Sequence, residues 1–316
     1  MTGAWRGGDY TAAGDAWAHA ADDVTAHALR LLTTAHHLTA PAPRPRVPGD
    51  ELTAPGGAVH APRPLAPGSA DGAPGVLDVG TGSGPAVLAA ARSGARATGL
   101  DLEPGLLRTA EERARRAGLA DRARFVVGDA RRLPFRDGAF DAVLSTFGVM
   151  FAPDAVRVAA ELVRVCRPGG VVAVASWTPD GVLGRIAPTV TRHLDRAPDP
   201  EPPTRWGEPA HVGGWFRPLP VTLRTEVVHV RVAYPSVEHA VAAFADKPGP
   251  LRAHRAALEA RGRWDAARAA LAELFAAHDR AGDGTLAMDV PYLLATARVH
   301  ARHPRVTGCG GSRRSS

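Results

Sequence analysis

Between residues 76 and 177 the chain alternates short, continuously apolar runs with stretches whose apolar residues recur at helical spacing. The runs VLDVG, RATGLDL, RFVVGD, FDAVLSTF and VVAVAS are typical of strands buried on both faces of a sheet. Amphipathic helices are predicted between them at 85–94, 104–118 and 153–170, and the fifth strand is predicted over 171–176. Strands and helices that alternate in this way predict a parallel sheet with helices on both faces.

The composition of the other regions predicts how the rest of the chain is organised. Residues 9–39 lack proline and are rich in alanine and leucine, so we assign 1–39 to an N-terminal helical segment. Residues 40–75 are rich in Pro, Ala and Gly without an apolar period, which is typical of a mobile linker. We expect the α/β domain to cover 76–300 and the remainder, 301–316, to be a disordered basic tail.

The net charge of +6 raises the question of a nucleic-acid partner. Most of the excess positive charge lies near the C-terminus, where residues 298–316 contain no acidic residue. The arginines of this segment are Arg298, Arg302, Arg305, Arg313 and Arg314. A short terminal excess is weak evidence for phosphate binding, so we expect no nucleic-acid partner. The two cysteines are too few for a disulfide framework, and no signal peptide or apolar run of about 18 residues is present, so we expect a cytoplasmic protein without stable membrane insertion.

Candidate chemistry follows the ends of the predicted strands, where ligands bind in a parallel sheet. Gly80, Gly82 and Gly84 follow the first strand and allow the backbone to turn tightly toward a ligand at the next helix. Asp101 closes the second strand, where a carboxylate can accept hydrogen bonds from both hydroxyls of a ribose. Capping of the following helix is the alternative role for Asp101. Asp129 ends the third strand and can meet an adenine amino group.

In combination, VLDVGTGSG, GLDLEP, FVVGDARRLPFRDGAFDAVLSTFGVMFAPD and ELVRVCRPGGVVAVASWTP resemble the class I S-adenosylmethionine-dependent methyltransferases. Within that family they are most similar to the methyltransferase type 11 and ubiquinone/menaquinone-biosynthesis group. The resemblance is dense over 76–180 and implies an α/β, Rossmann-like sheet of seven mostly parallel strands, the last one antiparallel. It implies the sixth and seventh strands at 221–232 and around 289–299, with a helical insertion over about 236–281 between them.

The resemblance also implies which residues hold the methionine end of the cofactor, S-adenosyl-L-methionine. Gly80, Gly82 and Gly84 would cradle it. Asp78 would order the glycine loop and hold the amino group, directly or through water. Ser145, after the fourth strand, would lie near the same moiety.

The nucleoside end is assigned in the same way. Asp101 would bind the ribose, and Leu102 would pack on the adenine. Asp129 and Ala130 would reach the adenine from the third strand. The N-terminal helical segment would act as a lid, although the 40–75 linker is longer than is usual in the family and leaves the position of that lid open.

Methyl transfer from a sulfonium is an in-line displacement in which the protein mainly aligns the reactants and excludes water. The chain therefore needs no nucleophile or metal, and we assign none. A general base would help an oxygen or carbon acceptor ionise. His211, predicted in the loop before the sixth strand, is the first candidate, and Tyr10 on the lid is the second.

The residues at the end of the fourth strand limit which class of molecule can accept the methyl group. Ser145-Thr146-Phe147-Gly148 stands where amino-methyltransferases of nucleic acids carry a Pro-Pro-aromatic motif. We therefore expect transfer to an oxygen or carbon of a small, largely apolar molecule such as a quinol, a phenol or a secondary metabolite. The side chains expected to line its pocket are Trp5, Trp17, Phe147, Met150, Phe151, Trp177 and Trp215.

Two other functions stay open from the sequence. A non-catalytic protein that binds S-adenosylmethionine would need the same glycine loop. An NAD-type oxidoreductase is less compatible, because the Gly-x-Gly-x-x-Gly spacing places Pro85 at the third glycine. For a methyltransferase and for an oxidoreductase alike, the partner would be a small molecule, and a homodimer is one option for how the chain assembles.

Overall fold

A computed structural model describes residues 25–26, 73–194, 199–246 and 250–301. Nearly all of the predicted lid and of the 40–75 linker, and the basic tail after residue 301, lie outside the described residues, so the predictions for these segments stay predictions.

Seven strands form one sheet within these ranges. They are β1 (Gly75–Val79), β2 (Arg96–Asp101), β3 (Ala123–Val127), β4 (Phe140–Thr146), β5 (Cys166–Trp177), β6 (Val221–Tyr234) and β7 (Leu286–Val299). Their order is β3-β2-β1-β4-β5-β7-β6. The strands β1 to β5 pair in parallel, whereas β7 is antiparallel to both β5 and β6. The predicted Rossmann-like sheet with an antiparallel last strand is confirmed.

Helices connect the strands and cover the sheet. They are α1 (Pro85–Arg92), α2 (Pro104–Arg116), α3 (Ala155–Val165), α4 (Ile186–Thr191), α5 (Pro209–Phe216), α6 (Val237–Asp246), α7 (Pro250–Ala253), α8 (Arg255–Ala260) and α9 (Trp264–Ala276). Short 3₁₀ turns lie at Val149–Phe151, Arg192–Leu194 and Pro203–Gly207. The helices α6 to α9 lie between β6 and β7, where the insertion is predicted. Within the described ranges, none of the helices has the length and apolar character needed to cross a bilayer.

The core explains why the strand sequences are continuously apolar. Leu77 on β1 and Val143 on β4 are register partners and both are fully buried. Helices cover both faces of these central strands, so successive side chains on either face lie out of water. The chain order reverses between β1 and β4, and in open α/β sheets this reversal places a ligand crevice at the carboxyl ends of those two strands.

The predicted helix over 153–170 is too long at both ends. Asp154 has a φ of 61° and caps α3 by accepting a hydrogen bond from the Arg157 N–H at 3.1 Å. The helix ends at Val165, and β5 begins at Cys166, which is paired with Phe140. The register then shifts so that Ala142 pairs with Val171, and the Pro-Gly-Gly stretch is accommodated as an irregularity of the strand. Proline and glycine here mark a break inside β5, whereas the sequence pattern predicts a helix end.

Candidate active site

The loop between β1 and α1 turns sharply at three glycines. Their φ values are positive, at 71° for Gly80, 55° for Gly82 and 82° for Gly84, in the region that other residues rarely adopt. The backbone N–H groups of Gly80 and Thr81 donate to the Leu100 carbonyl at 2.8 and 3.0 Å. The glycine loop, residues 80–84, is therefore anchored to the end of β2.

Asp101, at the end of β2, lies against this loop. Its Oδ2 accepts a hydrogen bond from the Gly82 N–H at 2.8 Å, and its Oδ1 accepts one from the Glu103 N–H at 3.0 Å. The second bond lies in the turn before α2, whose N-cap residue is Glu103, and no side-chain hydrogen bond caps that helix within the described residues. Since an ionised carboxylate can accept about four hydrogen bonds, Asp101 retains the capacity to bind a hydroxylated ligand.

Asp78 is a buried carboxyl group beneath the glycine loop. It is 2% exposed, and its Oδ1 has no hydrogen-bond partner within the described residues. Burial raises the pKa of Asp78 from 3.8 to about 7; the nearby Thr81 hydroxyl lowers it, the charge of Asp101 raises it, and the Thr146 backbone lowers it. A buried polar group without a partner is costly. The position therefore suits a ligand that brings a cationic donor to this carboxylate.

Three hydroxyl groups share this property at the same edge of the sheet. Thr81 Oγ1, Thr146 Oγ1 and Ser176 Oγ are buried and have no hydrogen-bond partner in the part of the chain that the structure describes. They follow or end β1, β4 and β5, whose carboxyl ends adjoin. Because buried polar atoms are normally hydrogen-bonded, this set fits a polar ligand group that enters between the strands.

Ser145 has a different environment from these hydroxyls. Its Oγ is fully buried, donates to the Val79 carbonyl at 2.8 Å and accepts from the Val149 N–H at 3.0 Å. The serine thus ties the turn after β4 to the end of β1. The role of Ser145 near the methionine moiety stays a prediction. In the structure this serine shapes the site through its hydrogen bonds to the backbone.

The turn after β4 interlocks with the glycine loop. Phe147 has a φ of 61°, which is uncommon for a residue with a side chain. The strained residue directs Gly148 onto Gly80, and a Cβ added to Gly80 would lie 2.7 Å from the Gly148 Cα. Both glycines are therefore required for the β1 and β4 turns to approach this closely.

An aromatic cluster of Phe147, Trp177 and Tyr292 closes the β4–β5 side of the site. Phe147 and Trp177 are stacked with ring centroids 3.7 Å apart and planes 4° apart. Tyr292 packs edge-on against both rings, at 5.5 and 6.3 Å. Phe147 and Trp177 are among the predicted pocket residues, whereas the sequence pattern does not indicate Tyr292, which reaches them because β7 pairs Tyr292 with Trp177.

The predicted adenine side lies at the ends of β2 and β3. Leu102, directly after β2, is 60% exposed, as expected for an apolar side chain that covers a flat ligand. Asp129 accepts hydrogen bonds from Arg131 with both carboxylate oxygens, the shortest at 2.6 Å to Nη2. The Arg131 hydrogen bonds lower the pKa of Asp129. Ala130 is half-buried beside it. The residues predicted to bind the adenine thus lie at the carboxyl ends of β2 and β3. Their contacts with the adenine stay a prediction.

His211 lies in α5, and its predicted position in a loop is wrong. Pro209 occupies the first turn of that helix, where its missing N–H is tolerated. The His211 Nδ1 lies 3.4 Å from Arg205 Nη2, and its Nε2 lies 3.7 Å from Glu208 Oε2. The preceding 3₁₀ turn contacts the end of β5, because a Cβ on Gly207 would collide with the Trp177 carbonyl. The other base candidate, Tyr10, lies outside the described residues.

In the described ranges no three His, Cys, Asp or Glu side chains are grouped closely enough to hold a metal ion. Cys166 is buried, and burial raises the pKa of its thiol to about 12. A thiol in such surroundings is a poor nucleophile.

Comparison with known proteins agrees with this geometry. Residues 77–174 match the family model described as a methyltransferase domain. An uncharacterized protein of Mycobacterium tuberculosis is 46% identical over 151 residues, which cover 48% of this chain and 54% of that protein. The methyltransferase GfsG of Streptomyces halstedii is 39% identical over 116 residues, covering 36% of this chain and 42% of that protein.

The chain spans about half the length of the curated relatives it matches. Among solved structures, the YcgJ protein of Bacillus subtilis aligns with 73% of this chain and 93% of its own, at a TM-score of 0.49 and 16% identity.

Proposed function

We propose that this chain, whose residues 77–174 match the family model of a methyltransferase domain, is an S-adenosylmethionine-dependent methyltransferase. The acceptor would be a small, largely apolar molecule such as a quinol, a phenol or a secondary metabolite, methylated on oxygen or carbon. The observation that carries the proposal is the buried carboxyl of Asp78 beneath the three-glycine turn, whose Oδ1 has no hydrogen-bond partner within the described residues. A cofactor with an ammonium group beside a nucleoside fits this arrangement.

The residues at the carboxyl ends of β1, β2 and β3 fit that cofactor. Asp78 would bind the ammonium group, and the glycine loop would allow close approach of the backbone. Asp101, which retains acceptor capacity, would bind the ribose hydroxyls. Leu102 would cover one face of the adenine, and Asp129 with Ala130 would lie at its edge.

When bound, the cofactor supplies a methyl group on a positively charged sulfur. The chain itself would orient the acceptor and keep water away from it. The aromatic cluster of Phe147, Trp177 and Tyr292 offers a buried apolar wall for these tasks. His211 would accept a proton from the acceptor, because its ring is half-exposed on the helix that follows the 3₁₀ turn against β5.

The sequence relatives support the reaction class. GfsG, which is 39% identical to this chain over the matched residues, is named as a methyltransferase. The sequence also lacks the third glycine of the NAD fingerprint, since α1 begins at Pro85. A small-molecule partner, the absence of nucleic-acid binding and a possible homodimer belong to the proposal.

Methyl release onto an acceptor panel tests the proposal. The purified chain would be incubated with S-adenosylmethionine carrying a labelled methyl group and with quinols, phenols and hydroxylated polyketides. We expect transfer to at least one of them, and loss of that transfer in Asp101→Ala. Cofactor binding without transfer to any acceptor would favour a non-catalytic binding protein, and absence of cofactor binding would refute the proposal.

A further inference from the structure

A contact from outside the glycine loop holds Ser83, the residue between its last two glycines. Arg113, on α2, donates from Nη1 to the Ser83 carbonyl at 3.1 Å and to the Ser83 Oγ at 2.8 Å. One nitrogen thus binds the backbone and the side chain of the same residue, since each Nη carries two N–H groups. Ser83 stands between Gly82 and Gly84, so this contact fixes the most flexible part of the turn.

The rest of the loop is fixed by the same β2–α2 unit. Gly80 and Thr81 are bound by the carbonyl of Leu100, and Gly82 is bound by Asp101. Gly84 packs against α2, because a Cβ there would lie 3.0 Å from the Cβ of Ala110. Ala110 and Arg113 are three residues apart and therefore lie on one face of the helix. Arg113 supplies the contact between the anchors at the two ends of the loop.

We propose that Arg113 is a positioning residue for cofactor binding, acting through Ser83 on the backbone of the glycine loop. The inference rests on the proposed function, because that function makes the loop the site of the methionine moiety. A loop with three glycines has many conformations to lose when a ligand binds. Fixing Ser83 beforehand lowers this cost and leaves the loop in the conformation that the ligand meets.

Two ligands separate this role from a general effect on folding. S-adenosylhomocysteine carries the amino-acid moiety that would lie in the loop, whereas 5′-methylthioadenosine lacks it. We expect Arg113→Ala to weaken S-adenosylhomocysteine binding roughly five- to thirty-fold, which is the cost of ordering about one loop residue when the ligand binds. Binding of 5′-methylthioadenosine should change by less than about three-fold. Calorimetry on the full chain measures both affinities.

Three further variants sharpen the test. Arg113→Lys should restore part of the affinity, because an ammonium can reach one of the two acceptors without the planar geometry of arginine. Ser83→Ala removes the 2.8 Å contact and should not add fully to Arg113→Ala, since both remove the same interaction. Arg115→Ala, at an exposed position of the same helix, is the matched control and should bind like the native chain.

The possible outcomes are distinguishable. Unchanged S-adenosylhomocysteine affinity in Arg113→Ala would overturn the inference and leave the proposed function intact. Equal weakening of both ligands together with a lowered melting temperature would assign Arg113 a structural role and also overturn it. A native chain that binds neither ligand would contradict the proposed function itself.

Discussion

The buried carboxyl of Asp78 should make the stability of the cofactor-free protein fall as pH rises. Its pKa is raised from 3.8 to about 7, mainly by burial. The folded state therefore binds a proton more tightly than the unfolded chain does. The stabilisation from this proton is fully present below pH 3.8 and is lost as pH rises through about 7.

The size of the effect follows from the shift. A shift of about three pKa units corresponds to about 4 kcal/mol across the full titration, because one unit is worth about 1.4 kcal/mol. Between pH 5 and pH 8 the linkage relation gives a loss of about 3 kcal/mol in the free energy of unfolding. Asp78 is almost completely buried, so solvent screening does little to reduce this figure.

The replacement Asp78→Asn removes the titrating group and keeps its shape. Urea denaturation of the native chain and of this variant at pH 5, 6, 7 and 8 isolates the contribution, because all other titrating groups are common to both proteins. We expect the variant to gain about 3 kcal/mol relative to the native chain between pH 5 and pH 8. Asp121→Asn, which removes one exposed charge, provides the baseline. A stability difference that does not vary with pH would refute the argument that burial keeps Asp78 protonated.

Other changes test neighbouring parts of the site. Asp101→Ala removes charge-assisted hydrogen bonds and should weaken cofactor affinity roughly 10- to 150-fold in calorimetry, and unchanged affinity would refute the ribose assignment. Gly80→Ala should lower the free energy of unfolding by about 2–5 kcal/mol, because it combines left-handed strain with a collision at the β4 turn. Gly94→Ala, with a φ of 88° and open space around it, should show the strain alone. The pKa of Glu161 is lowered mainly by its hydrogen bonds to Arg164, so this carboxylate stabilises the fold above its unfolded-state pKa. The destabilisation by Glu161→Gln, measured by urea denaturation, should therefore shrink as pH falls. A destabilisation that does not vary with pH would contradict this.

Much of the fold could be predicted because strand and helix periods are local signals. The positions of the glycine loop and Asp101 follow from where the apolar runs end, and the parallel arrangement then brings those ends together.

The parts that the sequence does not predict depend on contacts between distant residues. Tyr292 reaches Trp177 only through the register of β7 on β5, and Arg113 reaches Ser83 only through the packing of α2. The partners of the Ser145 hydroxyl depend on the turn that the strained Phe147 allows. His211 was predicted in a loop because Pro209 and two glycines within eight residues resemble a turn, although they form α5.

Calorimetric titration of the purified chain with S-adenosylmethionine and S-adenosylhomocysteine tests the central claim most directly. We predict that both bind at one site per chain, and that NAD at the same concentrations gives no heat of binding. We also predict proton release on binding near pH 7, because an ammonium group favours the ionised form of Asp78. The absence of binding by both nucleosides at millimolar concentration would contradict the account.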